Sequence, residues 1–235
     1  MRARKASFLS QSAWKTIPWT HHSKTTQDLL IDIAFDLPDL YERVDRLPHL
    51  PVSLLVAQYE ETIKIFLNLH RQLNEWRDAY YAYFEEEVKS ELTSTSATRS
   101  ISAKTIMAAH MTSFYWSLIL KVNSTLHDLD PSDSYLPAAS LADMCCQNAV
   151  RIISILLKPA MGMFRVHLAT FPLGTAVTHV AEVCSEELHD ARVALATYLA
   201  LPQCASMRQL IRSLQPENAD YVFSCKVGPP TVESL

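Results

Sequence analysis

The chain has 235 residues, 49% hydrophobic and 20% charged, with a net charge of −4. It is long enough to bury about 70% of its unfolded surface, and too mildly charged for a general attraction to nucleic acid or anionic membrane. Only three residues are glycine, Gly162, Gly174 and Gly228, which argues against an architecture of tight hairpins, phosphate-cradling loops or nucleophile elbows, since each places backbone where a Cβ clashes.

Long apolar-periodic stretches broken by proline remain, and they predict an all-α multi-helix bundle. Residues 1–27 carry Arg2, Arg4, Lys5, Lys15 and Lys24 and no acid before Asp28. An acid-free, Arg-bearing start is the pattern of a transit segment, but Trp14, Pro18 and Trp19 interrupt any amphipathic helix there, so it is not read as one. From Thr26 to Leu47 an apolar face recurs at Leu29, Leu30, Ile33, Leu37, Leu40 and Val44. Pro38 is expected to break that helix near Asp36, because it removes a donor and crowds the preceding turn.

The longest predicted helix is aromatic-rich and spans about 52–87, about 50 Å of helix. Tyr59, Ile63, Phe66, Leu69, Leu73, Trp76, Tyr80 and Phe84 step by three or four along it, a wide seam that suits a bundle core. Residues 90–105 are Ser/Thr-rich and aperiodic and read as an exposed loop. The stretch about 104–126 is apolar nearly all round and is expected to be a buried central helix. Asp130-Pro131-Ser132-Asp133 reads as a turn, 138–157 as a helix ended by Lys158-Pro159, and 160–170 as a short Met-containing segment. A helix opening at Phe171-Pro172-Leu173 and running to about Leu199, then a last one over 203–213, complete a single helical domain over 1–215. Residues 216–235 read as a loose tail.

Little in the chain signals catalysis. His179, Glu182, Glu186 and His189 fall on one face of the helix expected to open at Phe171, and Glu186 with His189 has the E-x-x-H spacing of di-iron bundles. A di-iron bundle needs that pair twice, so the stripe reads as a solvent face and no metal is expected. Asp128, Asp130 and Asp133 fall on a Pro-containing turn, and Glu85–Glu87 is a solvated helix end. The Met and aromatic residues over 107–119 read as core rather than as a ligand cavity. Cys145, Cys146, Cys184, Cys204 and Cys225 show no paired spacing, which fits a reducing compartment. No catalytic residue and no cofactor is expected, and no apolar run approaches the ~20 residues of a membrane span.

Three ordered stretches carry a resemblance. The first runs from Phe8 through Trp14, Pro18-Trp19, Lys24-Thr25, Asp28, Leu30–Ile33 and Leu37-Pro38 to Asp45-Arg46-Leu47. The second is the Trp76 helix followed by Tyr115-Trp116, and the third is Met161-Gly162 followed by Phe171-Pro172-Leu173-Gly174. In this order they resemble the C-terminal regulatory domain of fungal zinc-cluster transcription factors. The resemblance implies a non-enzymatic, nuclear, transcription-regulatory helical domain acting through protein contacts or effector sensing. Its expected partners are a parent-type transcription factor, co-regulators or a second copy. Trp14, Trp19, Trp76, Trp116 and Phe171 are the expected structural anchors or partner contacts, each able to bury ~150–250 Å².

One departure matters: the family's DNA-binding module is a basic, six-cysteine stretch, and the first cysteine here is Cys145. Direct DNA binding by this stretch is therefore not expected, and the chain reads as the back half of such a factor. Two other readings stay open on the residues. One is a small-molecule-binding helical protein or enzyme of a fungal secondary-metabolism pathway, with a cavity near His110, His179 and Glu182. The other is a truncated, non-functional remnant.

Overall fold

The computed structural model describes residue 5 and residues 7–94, 100–162, 164–183 and 185–214. Among them every regular element is helical: α1 (Ser12–Thr16), α2 (Thr26–Ala34), α3 (Leu37–Arg46), α4 (Val52–Thr93), α5 (Ala103–Leu129), α6 (Ala138–Leu156), α7 (Phe164–Glu182), α8 (His189–Ala200) and α9 (Ala205–Leu214). Short 3-10 turns flank several of them. The protein is thus all-α and multi-helical, as composition and periodicity predict. It divides into two compact units, residues 1–81 with 122–138 and residues 82–121 with 139–235.

In the first unit, α2 starts at a capping box. Asp28 N–H donates to Thr25 Oγ1 at 3.3 Å and Thr25 N–H returns to Asp28 Oδ2 at 2.8 Å, which satisfies two donors at the helix start. Pro38 sits in the first turn of α3, where its missing N–H costs little, so the expected break falls between Ala34 and Leu37. Leu37, Leu40 and Leu47 bury one face of α3 and its end, and the Tyr41 ring lies 6.2 Å from Phe66 of α4. Along α4, Ile63, Phe66, Leu69, Leu73 and Trp76 are all buried at helical spacing. The Tyr59 hydroxyl donates to the carbonyl of Leu129, the last residue of α5.

In the second unit, α4 continues past its expected end near Glu87 to Thr93. Val88 is buried there, Glu87 pairs with Lys104, and Lys158 donates to the Glu91 carboxylate, so tertiary contacts hold turns that composition leaves ambiguous. The expected loop over 90–105 is correspondingly shorter: residues 90–93 belong to α4 and 103–105 to α5, and residues 95–99 lie outside the described set. The tail over 216–235 lies outside it as well. Residues 115–120 of α5 are buried without interruption. Two buried polar residues of α5 bond to their own helix: Thr112 Oγ1 donates to Ala108 O at 2.7 Å and Ser117 Oγ to Ser113 O at 2.7 Å.

The region 160–199 differs from its sequence reading. Lys158-Pro159 does end α6, and Gly162 adopts φ 60°, a conformation that glycine takes without strain. α7 then begins at Phe164 and places Pro172 in its interior, rather than starting at Pro172. Interior proline costs about 3 kcal/mol, and the burial of Ala169, Leu173, Ala176, Val177 and Val180 holds the helix through it.

The expected helix to Leu199 is also two helices, because α7 stops at Glu182. The Arg192 guanidinium of α8 donates to Val183 O at 2.7 Å, Ser185 O at 2.9 Å and Val180 O at 3.4 Å. Val180 lies in the last turn of α7 and Val183 and Ser185 follow its end, where carbonyls run out of helical donors, so one side chain caps the break. Arg208 repeats the device on Leu199 O and Leu201 O at the end of α8.

Candidate functional site

The five aromatic anchors divide by exposure. Trp76 is 3% exposed, and its indole N–H donates to Thr26 O at 2.9 Å, so it joins α4 to the start of α2 through both packing and a hydrogen bond. Trp116 is buried on α5, with its ring 5.1 Å from that of Tyr115. Trp19 is half-buried on the 3-10 turn Ile17–Trp19. Trp14 is 51% exposed on α1 and meets Phe8, itself 58% exposed, edge to face at 5.2 Å. Phe171 lies exposed on α7 with its ring 5.2 Å from Phe114.

Phe8, Trp14 and Ile17 therefore form an exposed aromatic-aliphatic segment at the start of the first unit. Nearby, Lys15 pairs with Asp36 at 2.5 Å, which fastens α1 at the α2–α3 break. Trp is enriched at contact hot spots because it supplies large area with few rotatable bonds.

The polar stripe on the expected 172–199 helix does not assemble. His179 is on α7, Glu186 opens a 3-10 turn and His189 starts α8, so the helical register that aligned them is lost. His179 is also not a solvent residue: it is 5% exposed, and its Nε2 lies 2.8 Å from Oδ1 of Asp143 on α6. Periodicity does not single out Asp143. The signal it leaves is a lone carboxylate inside the apolar run Ala142–Cys146. A buried carboxylate needs a partner, and His179 is the one it has.

One turn along α6, Cys146 is fully buried, with Sγ 3.9 Å from Ala176 O. Burial, and next the nearby Asp143 carboxylate, push its thiol up to about 12. A thiol is nucleophilic as its thiolate, so Cys146 beside an Asp–His pair is no Cys–His–Asp catalytic set. At pH 8, iodoacetamide is expected to leave Cys145, Cys146 and Cys204 unlabelled in the folded protein and to label all three in urea. Peptide mapping checks this, and native labelling of Cys146 would contradict it.

The other residues named from the sequence settle locally. Asp130 accepts from Ser132 Oγ at 2.6 Å and Ser134 N at 2.7 Å, which closes the expected turn. Its carboxyl is held low, first by Ser132. His110 stacks at 6.1 Å on Phe114; burial lowers its pKa, and its Nδ1 is buried without a hydrogen-bond partner. Among the described residues no group of three or more His, Cys, Asp or Glu can hold a metal, and no helix is long and apolar enough to cross a membrane. Two surface grooves stand out. One of about 260 Å³ lies between α3 and α4, where Arg43 and Arg46 are already engaged by Asp39, Glu61 and Glu42. The other lies between α6 and α8, reaching along α8 to Tyr198, and neither is lined by His110, His179 or Glu182.

No family model, curated protein or solved structure matches the chain.

Proposed function

We propose that this protein is a transcription-regulatory helical domain of the fungal zinc-cluster type, working through protein contacts in the nucleus. The reading rests on the ordered residues Trp14, Pro18-Trp19, Leu37-Pro38, Trp76, Tyr115-Trp116 and Phe171-Pro172-Leu173-Gly174. The observation that carries it is the exposed, mutually packed pair Phe8 and Trp14, with Ile17 beside them in sequence. A half-exposed tryptophan held edge to face by a half-exposed phenylalanine is a surface suited to a partner's apolar pocket. The role needs no catalytic residue and no cofactor. DNA would be reached through a parent-type factor, and a co-regulator would be the partner seated on Trp14.

The test is to tether the chain to a heterologous DNA-binding domain in a fungal host and read a reporter gene. Activation or repression of at least several-fold is expected. Trp14→Ala should remove most of it, as loss of a hot-spot residue costs about 2 kcal/mol of binding or more. Because Trp14 is half exposed, the variant's melting temperature should stay near that of the parent. A tethered chain with no effect on the reporter would overturn the reading, as would a Trp14→Ala variant with full effect.

A further inference from the structure

The groove between α6 and α8 has features of a ligand site that no role above uses. Gln147, Val150 and Arg151 line it from α6, while Glu187, Asp190, Ala191 and Ala194 recur at three and four residues along the facing segment. The small side chains of Ala191 and Ala194 leave room that larger ones would fill, and the opening has a volume of about 320 Å³. That is the lower end of the range for small-molecule sites. Gln147 Nε2 donates to Glu187 O at 2.7 Å and ties the two walls together. Val150 and Ala191 are buried and form an apolar floor.

The charges are the informative part. Arg151 on one wall and Glu187 and Asp190 on the other line the same groove. Yet none of these three side chains makes an ion pair or hydrogen bond with another described residue. The carboxylates also complement the start of α8, where a helix favours negative charge. Arg151 has no such duty, since it lies more than one turn before the end of α6. The groove therefore offers both signs of charge, unneutralised, above an apolar floor.

The geometry points to a binding site for a small zwitterion of the α-amino-acid class with an apolar side chain. Its carboxylate would meet the Arg151 guanidinium, whose planar fork suits a carboxylate. Its ammonium would meet Asp190 and Glu187, and its side chain would lie on Val150, Ala191 and Ala194. A plain anion would face two carboxylates and a plain cation would face Arg151, so a ligand with both charges is selected over either alone. The site lies within the second unit and does not depend on the transcriptional reading.

The test is an NMR titration of the full ¹⁵N-labelled chain with L-leucine, isoamylamine and 4-methylpentanoate, the last two carrying one charge each. Leucine is expected to shift the amides of Gln147, Arg151, Ala191 and Ala194 saturably, with each analogue at least tenfold weaker. Arg151→Gln and the double variant Glu187→Gln, Asp190→Asn should each weaken leucine tenfold or more. All three residues are exposed, and an unchanged melting temperature shows that the variants fold. The site is refuted if leucine gives no saturable shift, if either analogue equals it, or if Arg151→Gln binds as the parent does. No transcriptional readout enters, so this result and that of the reporter test are separable.

Discussion

Trp76→Ala is expected to destabilise the first unit by about 3–5 kcal/mol, the cost of emptying a large buried aromatic site. Trp76 is buried between α4 and the start of α2, and its indole N–H is the donor to Thr26 O. Removal leaves a cavity and deprives that carbonyl of its side-chain donor. Domains have about 5–15 kcal/mol in all, so a large share of the unit's stability would go. Trp76→Phe separates the two terms: it keeps much of the ring volume and loses the donor, at about 1–3 kcal/mol. Urea unfolding followed by circular dichroism gives the totals, and hydrogen exchange across α2 and α4 localises them. An alanine variant within 1 kcal/mol of the parent would show that Trp76 is not the anchor described.

The second large effect is expected at Asp143 and His179. Truncating either partner alone leaves the other buried without the group that satisfies it, at about 2–5 kcal/mol. Replacing both at once by apolar residues of similar volume, as in Asp143→Leu with His179→Phe, should restore most of the loss. The pair spans 2.8 Å at nearly complete burial, so the singles should be strongly non-additive. A double-mutant cycle in urea measures this, and a coupling near zero would mean that the contact contributes no net stability.

These two sites differ in how far the sequence exposes them. Trp76 is legible, because it continues the Ile63, Phe66, Leu69, Leu73 stripe and every member of that stripe is buried. What its N–H bonds to is not, since Thr26 lies far away along the chain. Asp143 and His179 are not legible as a pair: each sits alone in an apolar stretch, 36 residues apart. The polar stripe from His179 to His189 looked coherent only on the assumption of one continuous helix.

The sequence by itself determined the all-helical class, because a chain with three glycines and helical apolar periodicity has few other ways to satisfy its backbone. It also determined the breaks at Pro38 and Lys158-Pro159, each a local consequence of proline stereochemistry. Only the tertiary structure decided that Pro172 would lie inside a helix, that α7 would stop at Glu182 and that α4 would run on to Thr93. At those places local preference is weak or opposed. Contacts distant in sequence outweigh it: buried residues around Pro172, the Arg192 cap on the carbonyls after α7, and Lys158 on Glu91. The same holds for the charges in the α6–α8 groove, because whether an arginine meets a carboxylate is a matter of where two helices lie, and no single helix encodes it.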